Sequence, residues 1–324
     1  MKTMGLLISH KNHEKRRALI PADLSIIQHI SQLYFEEGYG QAIGFTDEEY
    51  LSAGANIVSR DEALACDIIV DVKLGDANYL DRLSGEKILV GWAHAVQNVD
   101  FTEHMLLKNH TVIAWEEMVD HGRYLFYRNR EIAGEAAIIH AYLFLGKMPY
   151  DTKVAILGNG QSAKGAMRIL HSLGATVDVY GRHLENLFIK KMNEYDVLVN
   201  CIKWDTNRLD KIIYKEDLKT LKPGTMIVDV SCDPYLEIET SHPTTIDDPV
   251  YVVDGVIHYC VDNTPALFSH TVSKILSEGF APLVDELLNE TYSPMVQQAL
   301  VIDHGKIQDE DIRTFREYRG LLVK

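Results

Sequence analysis

Cysteine is scarce in this chain, four residues in 324, and no two of them have CxxC spacing. Cys66, Cys201, Cys232 and Cys260 are scattered, and three lie in or beside apolar runs (CDIIVDV, VLVNCI, VIHYC). The pattern speaks against a disulfide framework or a metal site and predicts buried free thiols in a reducing compartment. Positive charge is also in deficit. Lys and Arg number 32 against 47 Asp and Glu, a formal net charge of −15. Nucleic acids and anionic membranes both require a positive footprint, so neither is an expected partner. No window approaches the roughly 20 apolar residues of a membrane span. The opening MKTMGLLISHKNHEKRR has too short an apolar run for a secretory signal. A cytoplasmic protein is expected.

The chain has the material for a sizeable core. Hydrophobic residues make up 46% and charged residues 24%, a globular balance, and the length favours two domains. Short apolar runs alternate with amphipathic stretches. MGLLIS (4–9), DIIVDV (67–72), KILVGW (87–92) and TVIAW (111–115) read as buried parallel strands. Between them, Leu24, Ile27, Ile30 and Leu33 have helical spacing and predict a helix over 23–37. After Pro149 a second series follows: KVAIL (153–157), ATVDVY (175–180), DVLVNC (196–201) and TMIVDV (225–230). Residues 131–147 read as one helix bridging two domains. Beyond Pro265 the pattern is helical over 269–288, 294–301 and 309–318, with no strand expected in that tail. Strand–helix alternation predicts an α/β fold of doubly wound parallel sheets.

The run VAILGNGQSAKGAMRILHSLGATVDVYGR carries Gly158, Gly160, Ala163 and Gly165 between an apolar strand and an amphipathic helix. That context makes it a dinucleotide fingerprint. Gly158 permits the tight turn, Gly160 lets the backbone approach a pyrophosphate at the helix N-terminus, and Ala163 or Gly165 allows close helix–strand packing. NAD enzymes place an acid after the second strand to bind the ribose 2′-hydroxyl. Here the strand runs into Tyr180-Gly181-Arg182, with Asp178 inside it. A missing carboxylate and a supplied guanidinium suit a 2′-phosphate, so the expected cofactor is NADP(H).

Arg16, Lys73 and His94 each fall at or beside the end of an expected strand, where open α/β sheets bind ligands. Singly, each has an equally plain reading as a surface or core residue. Together they suit a 2-oxo acid: the Arg for the carboxylate, the Lys or His to polarise a carbonyl and move protons.

Five features then occur in one order: EKRRALIP (14–21), the strand ending at Lys73, the strand followed by His94, the glycine loop, and VDNTP (261–265). In that order the chain resembles the alanine dehydrogenase family, which includes the saccharopine dehydrogenases, over essentially its whole length. The stretches WEEMVDHGRYLFYRNREIAGEAAI, DVSCD (229–233) and IDDPVY (246–251) look more like the branch that joins an oxo acid to an amino-acid amine. The resemblance implies two Rossmann-like domains with a cleft between them. Residues 1–132 plus 266–324 would form the substrate domain and 133–265 the NADP-binding domain. It further implies Arg16 on the pyruvate carboxylate, Lys73 and His94 as the acid–base pair, and Asp262 beside the nicotinamide. The implied reaction couples pyruvate to the side-chain amine of ornithine or lysine, in a homo-oligomer, a tetramer by the same resemblance. Alternatives are alanine dehydrogenase itself, a saccharopine-type enzyme using another oxo acid and amine, or a silent NADPH-binding protein. Glu116, Glu117, Arg123 and Arg128 are candidates for the amino-acid α-groups, with structural ion pairs as the alternative.

Overall fold

The computed structural model describes residues 1–204, 208, 210–232 and 235–324; Asp233, the last residue of the DVSCD run, lies outside them. The contacts divide the chain into two units, Met1–Phe126 with Ser269–Lys324, and Tyr127–Phe268.

The first unit is built on six parallel strands: β1 (Met4–Leu6), β2 (Leu33–Glu36), β3 (Asn56–Val58), β4 (Ile68–Val70), β5 (Ile88–Gly91) and β6 (Thr111–Ala114). Their order is β6-β5-β4-β1-β2-β3. Every residue of β1, β4, β5 and β6 is buried, which is why these strands read as continuous apolar runs. Helices α1 (Asp47–Ser52), α2 (Arg60–Ala65) and α3 (Val99–Leu107) accompany them, and a short hairpin of β7 (Val119–Asp120) and β8 (Arg123–Tyr124) follows. The helix expected over 23–37 does not form. Pro21–Ile26 is a 3-10 segment, and Leu33–Glu36 is strand β2 between β1 and β3. Pairing on both sides overrides the helical spacing of Leu24, Ile27, Ile30 and Leu33.

The second unit opens with α4 (Tyr127–Leu145), one turn earlier than its apolar pattern suggests. Then come β9 (Lys153–Leu157), α5 (Gln161–Ser172), β10 (Thr176–Tyr180), α6 (Glu185–Lys191), β11 (Val197–Asn200), β12 (Met226–Asp229), β13 (Val250–Val253) and β14 (Val256–Tyr259). The sheet order is β10-β9-β11-β12-β14-β13, parallel except for β13. Alternate residues face opposite cores. Val154, Ile156, Val197 and Val199 pack with Ala137, Ile138, Ala163 and Leu170 of α4 and α5. Ala155, Leu157, Leu198 and Ile227 pack with Phe188 and Leu218 on the other side. Both units are thus Rossmann-like.

The tail adds α7 (Ser269–Phe280), α8 (Val284–Asn289), α9 (Pro294–Ala299), β15 (Leu300–Asp303), β16 (Lys306–Ile307) and α10 (Glu310–Tyr318). It is not strandless, as the sequence suggested. β15 pairs antiparallel with β6 and β16 with β15, extending the first sheet to eight strands. Among the described residues, no helix is long and apolar enough to cross a membrane.

Candidate active site

Trp92 is the hub of the first unit's candidate residues. It follows β5, and its ring lies 4.8 Å under the Arg16 guanidinium. Its Nε1–H donates to the Tyr124 hydroxyl at 2.9 Å, and it packs edge-on against Trp115 at 5.2 Å. Trp115 in turn touches Phe126 and Phe280 of α7, each such ring pair contributing about 0.5–1.5 kcal/mol. This aromatic cluster makes the end of β5 a rigid platform.

Arg16 is 2% exposed. Its Nε donates to Glu14 Oε1 at 2.9 Å and its Nη2 to Glu14 Oε2 at 2.6 Å, a bidentate pair shielded from solvent. Lys73 is also buried, just after β4, with its Nζ 3.7 Å from Asp76 Oδ2. Its own amide donates to the Asp71 carboxylate at 2.9 Å. Burial pushes that Asp71 carboxyl upward in pKa, against the pull of the Lys73 amide and the Tyr79 hydroxyl. His94 is exposed and holds a left-handed backbone, φ 49°. The turns carrying Lys73 and His94 are pinned together: the Gly75 amide donates to the Trp92 carbonyl at 2.9 Å and Asn98 Nδ2 to the Gly75 carbonyl at 2.7 Å. Arg16 on the Trp92 ring and the Lys73 and His94 turns thus all adjoin the end of β5. Sequence spacing carried no sign of the Arg16–Trp92 stack or of Tyr124.

In the second unit, β9 leads into Gly158, whose φ of 102° favours glycine and whose added Cβ would stand 2.8 Å from the Cys201 carbonyl. Gly160 caps α5, and a Cβ there meets nothing within 4 Å. The Gln161 side-chain oxygen is buried without a hydrogen-bond partner. An open glycine at a helix N-terminus beside an unmatched acceptor fits a dinucleotide, whose phosphates take the helix amides and whose hydroxyls donate. The later glycine works differently from the expected helix–strand contact. Ala163 packs on the sheet, whereas Gly165 packs against α4.

Arg182 opens a 3-10 turn just after β10 and is exposed. Asp178 faces sideways within β10, accepting from the Tyr195 hydroxyl at 2.8 Å. The next acid, Glu185, is bound by Arg208 at 3.0 Å, a second cation that the sequence did not single out. Asp262 is exposed beyond β14, its amide donating to the Thr244 carbonyl at 3.1 Å. Of the candidates for the α-groups, Arg128 is a structural ion-pair residue: it binds Glu131, and Arg168 binds Glu131 and Glu135. All four cysteines are free, Cys66 and Cys260 buried and Cys201 and Cys232 half-buried.

Residues 7–127 match the N-terminal domain and 182–310 the C-terminal domain of alanine dehydrogenase/PNT. The chain belongs to the alanine dehydrogenase/PNT family. It is 32% identical over 295 residues to the N(5)-(carboxyethyl)ornithine synthase of Lactococcus lactis, covering 85% of this chain and 94% of that one. It is 28% identical over 312 residues to the alanine dehydrogenase of Halomonas elongata, covering 85% and 84%. A solved L-alanine dehydrogenase shares the fold with a TM-score of 0.85 at 22% identity, covering 99% of this chain and 100% of that one. The family uses a nicotinamide cofactor, and with these curated relatives the chain is an oxidoreductase of amino-acid metabolism.

Proposed function

We propose that the protein uses NADPH to condense pyruvate reductively with the side-chain amine of ornithine or lysine, giving an N-(1-carboxyethyl) amino acid. The observation that carries this reading is the similarity to the N(5)-(carboxyethyl)ornithine synthase over most of both chains. The cofactor preference is supported by the end of β10, where Arg182 stands free of a neighbouring unpaired acid because Glu185 is bound by Arg208.

Gly158, Gly160, Ala163, Gly165 and Arg182 would hold the nucleotide, with Asp262 at its nicotinamide end. The bound nucleotide supplies a hydride. The chain's own residues do the rest. Arg16, braced by Glu14 and Trp92, binds the pyruvate carboxylate. The neutral substrate amine attacks pyruvate C2 to form a carbinolamine, and loss of its hydroxyl as water requires a proton. Lys73 and His94, on adjoining turns, supply that proton and take up the one released by the amine. Reduction of the resulting imine carbon completes the secondary amine.

Purified protein should oxidise NADPH only when pyruvate is supplied together with ornithine or lysine, followed by absorbance. Equal turnover with pyruvate and ammonia would overturn the secondary-amine reading.

A further inference from the structure

β5 and β6 run side by side in register, Gly91 opposite Ala114. Past their ends lie two turns, Trp92-Ala93-His94 and Trp115-Glu116, whose indoles pack together. The Glu116 carboxylate spans the gap. Its Oε2 accepts the Ala93 amide at 3.2 Å and its Oε1 the His94 amide at 2.5 Å. Two successive amides directed at one anion form a nest, which needs an alternating backbone. His94 meets that need with its φ of 49°, a conformation costing a non-glycine residue about 1–2 kcal/mol. Such strain persists only where the surroundings fix it; the carboxylate does so from the amide side, while the Asn98 amide donates to the His94 carbonyl at 3.0 Å. Burial pushes the Glu116 carboxyl upward in pKa while these two amides draw it back.

We propose that Glu116 is the positioning residue for His94, setting the direction of its imidazole through the backbone without touching substrate. The inference rests on the reading of His94 as an acid–base residue. It takes Glu116 out of the set of groups that bind the amino-acid substrate.

The test compares Glu116→Ala, Glu116→Gln and His94→Ala in the full chain, with NADPH, pyruvate and ornithine. Displacing a reacting group by about 1 Å costs about 100-fold. Glu116→Ala should therefore lower kcat by about that factor with KM for ornithine nearly unchanged. Hydrogen exchange read by mass spectrometry should show the Ala93 and His94 amides losing protection. Glu116→Gln keeps one acceptor oxygen and should recover part of both. A raised KM for ornithine with unchanged kcat, or amides still protected in Glu116→Ala, overturns the proposal. If the alanine variant does not fold, Glu116→Asp replaces it, its shorter arm withdrawing from both amides; kcat must then rank wild type, Gln, Asp, and equal values overturn the proposal. Full activity in His94→Ala would instead remove the acid–base reading, leaving the exchange result as the separate record of the nest.

Discussion

Gly165 of α5 faces the Glu131 carbonyl of α4 so closely that a Cβ on Gly165 would stand 1.9 Å from that oxygen. Gly134 of α4 returns the contact, its Cβ position 1.9 Å from the Ser162 carbonyl. The two helices meet backbone to backbone, with the Arg128, Glu131, Glu135 and Arg168 network bracing the crossing. Because backbone cannot rotate out of the way, Gly165→Ala must spread the helices. It should destabilise the protein by at least the 1–3 kcal/mol typical of overpacking, seen as a lowered urea midpoint. It should also weaken NADPH binding, since α5 carries the phosphate-facing turn. A wild-type midpoint would mean the crossing is slack.

Arg182→Ala should weaken NADPH far more than NADH. A hydrogen bond to a charged group contributes about 1.5–3 kcal/mol, or roughly 10- to 150-fold in affinity. Titration of each nucleotide by fluorescence reads the ratio. An equal loss for both would assign the 2′-phosphate to Arg208 or elsewhere.

Arg16→Ala removes the guanidinium that pairs bidentately with the buried Glu14 carboxylate. Breaking a buried pair by deleting one partner costs about 3–5 kcal/mol, so Arg16→Ala is expected to be poorly folded. The double variant Glu14→Gln, Arg16→Gln removes both charges together and should restore most of the stability. It should still have a strongly raised KM for pyruvate. A double variant with normal KM would take Arg16 out of the carboxylate site.

His110 is 1% exposed, and the Lys87 amide donates to its Nδ1 at 3.1 Å. Burial, its largest influence, pushes its pKa down from 6.5 to about 4. The folded value lies below the unfolded one. The neutral ring's stabilising contribution is therefore complete above pH 6.5 and is lost as pH falls from there towards 4, by up to roughly 3 kcal/mol. His110→Asn keeps an acceptor for the Lys87 amide without a titrating group. Its urea midpoint should fall less between pH 6.5 and 4 than that of wild type, and an identical fall would exclude His110 as a source of acid sensitivity.

The strands at the centre of each sheet were legible because burial on both faces leaves an unbroken apolar run, as in KILVGW and KVAIL. The glycine loop was legible because its turn, helix start and close crossing each demand a small residue at a fixed offset. Edge elements were not. β2 carries Leu33 and Phe35 inward, but a preceding helical spacing masked it. β15 continues directly from α9 with no turn residue between them, so only pairing with β6 makes it a strand. In the site, residue types at strand ends pointed to Arg16, Lys73 and His94. The Arg16–Trp92 stack and the Glu116 nest join segments 76 and 22 residues apart, and no local pattern encodes such contacts.

The pairing of β15 with β6 also bears on synthesis. Domains fold as units, N-terminal parts first, as the chain emerges from the ribosome. Tyr127–Phe268 is contiguous and can complete its sheet on emergence. The first unit cannot: β6, buried in the finished sheet, keeps an open edge until residues 300–307 have been made, nearly two hundred residues later. A nascent chain in that state presents a bare strand edge, the kind of surface that templates aggregation. Chaperone demand during translation should therefore track the first unit, although its strands are made first.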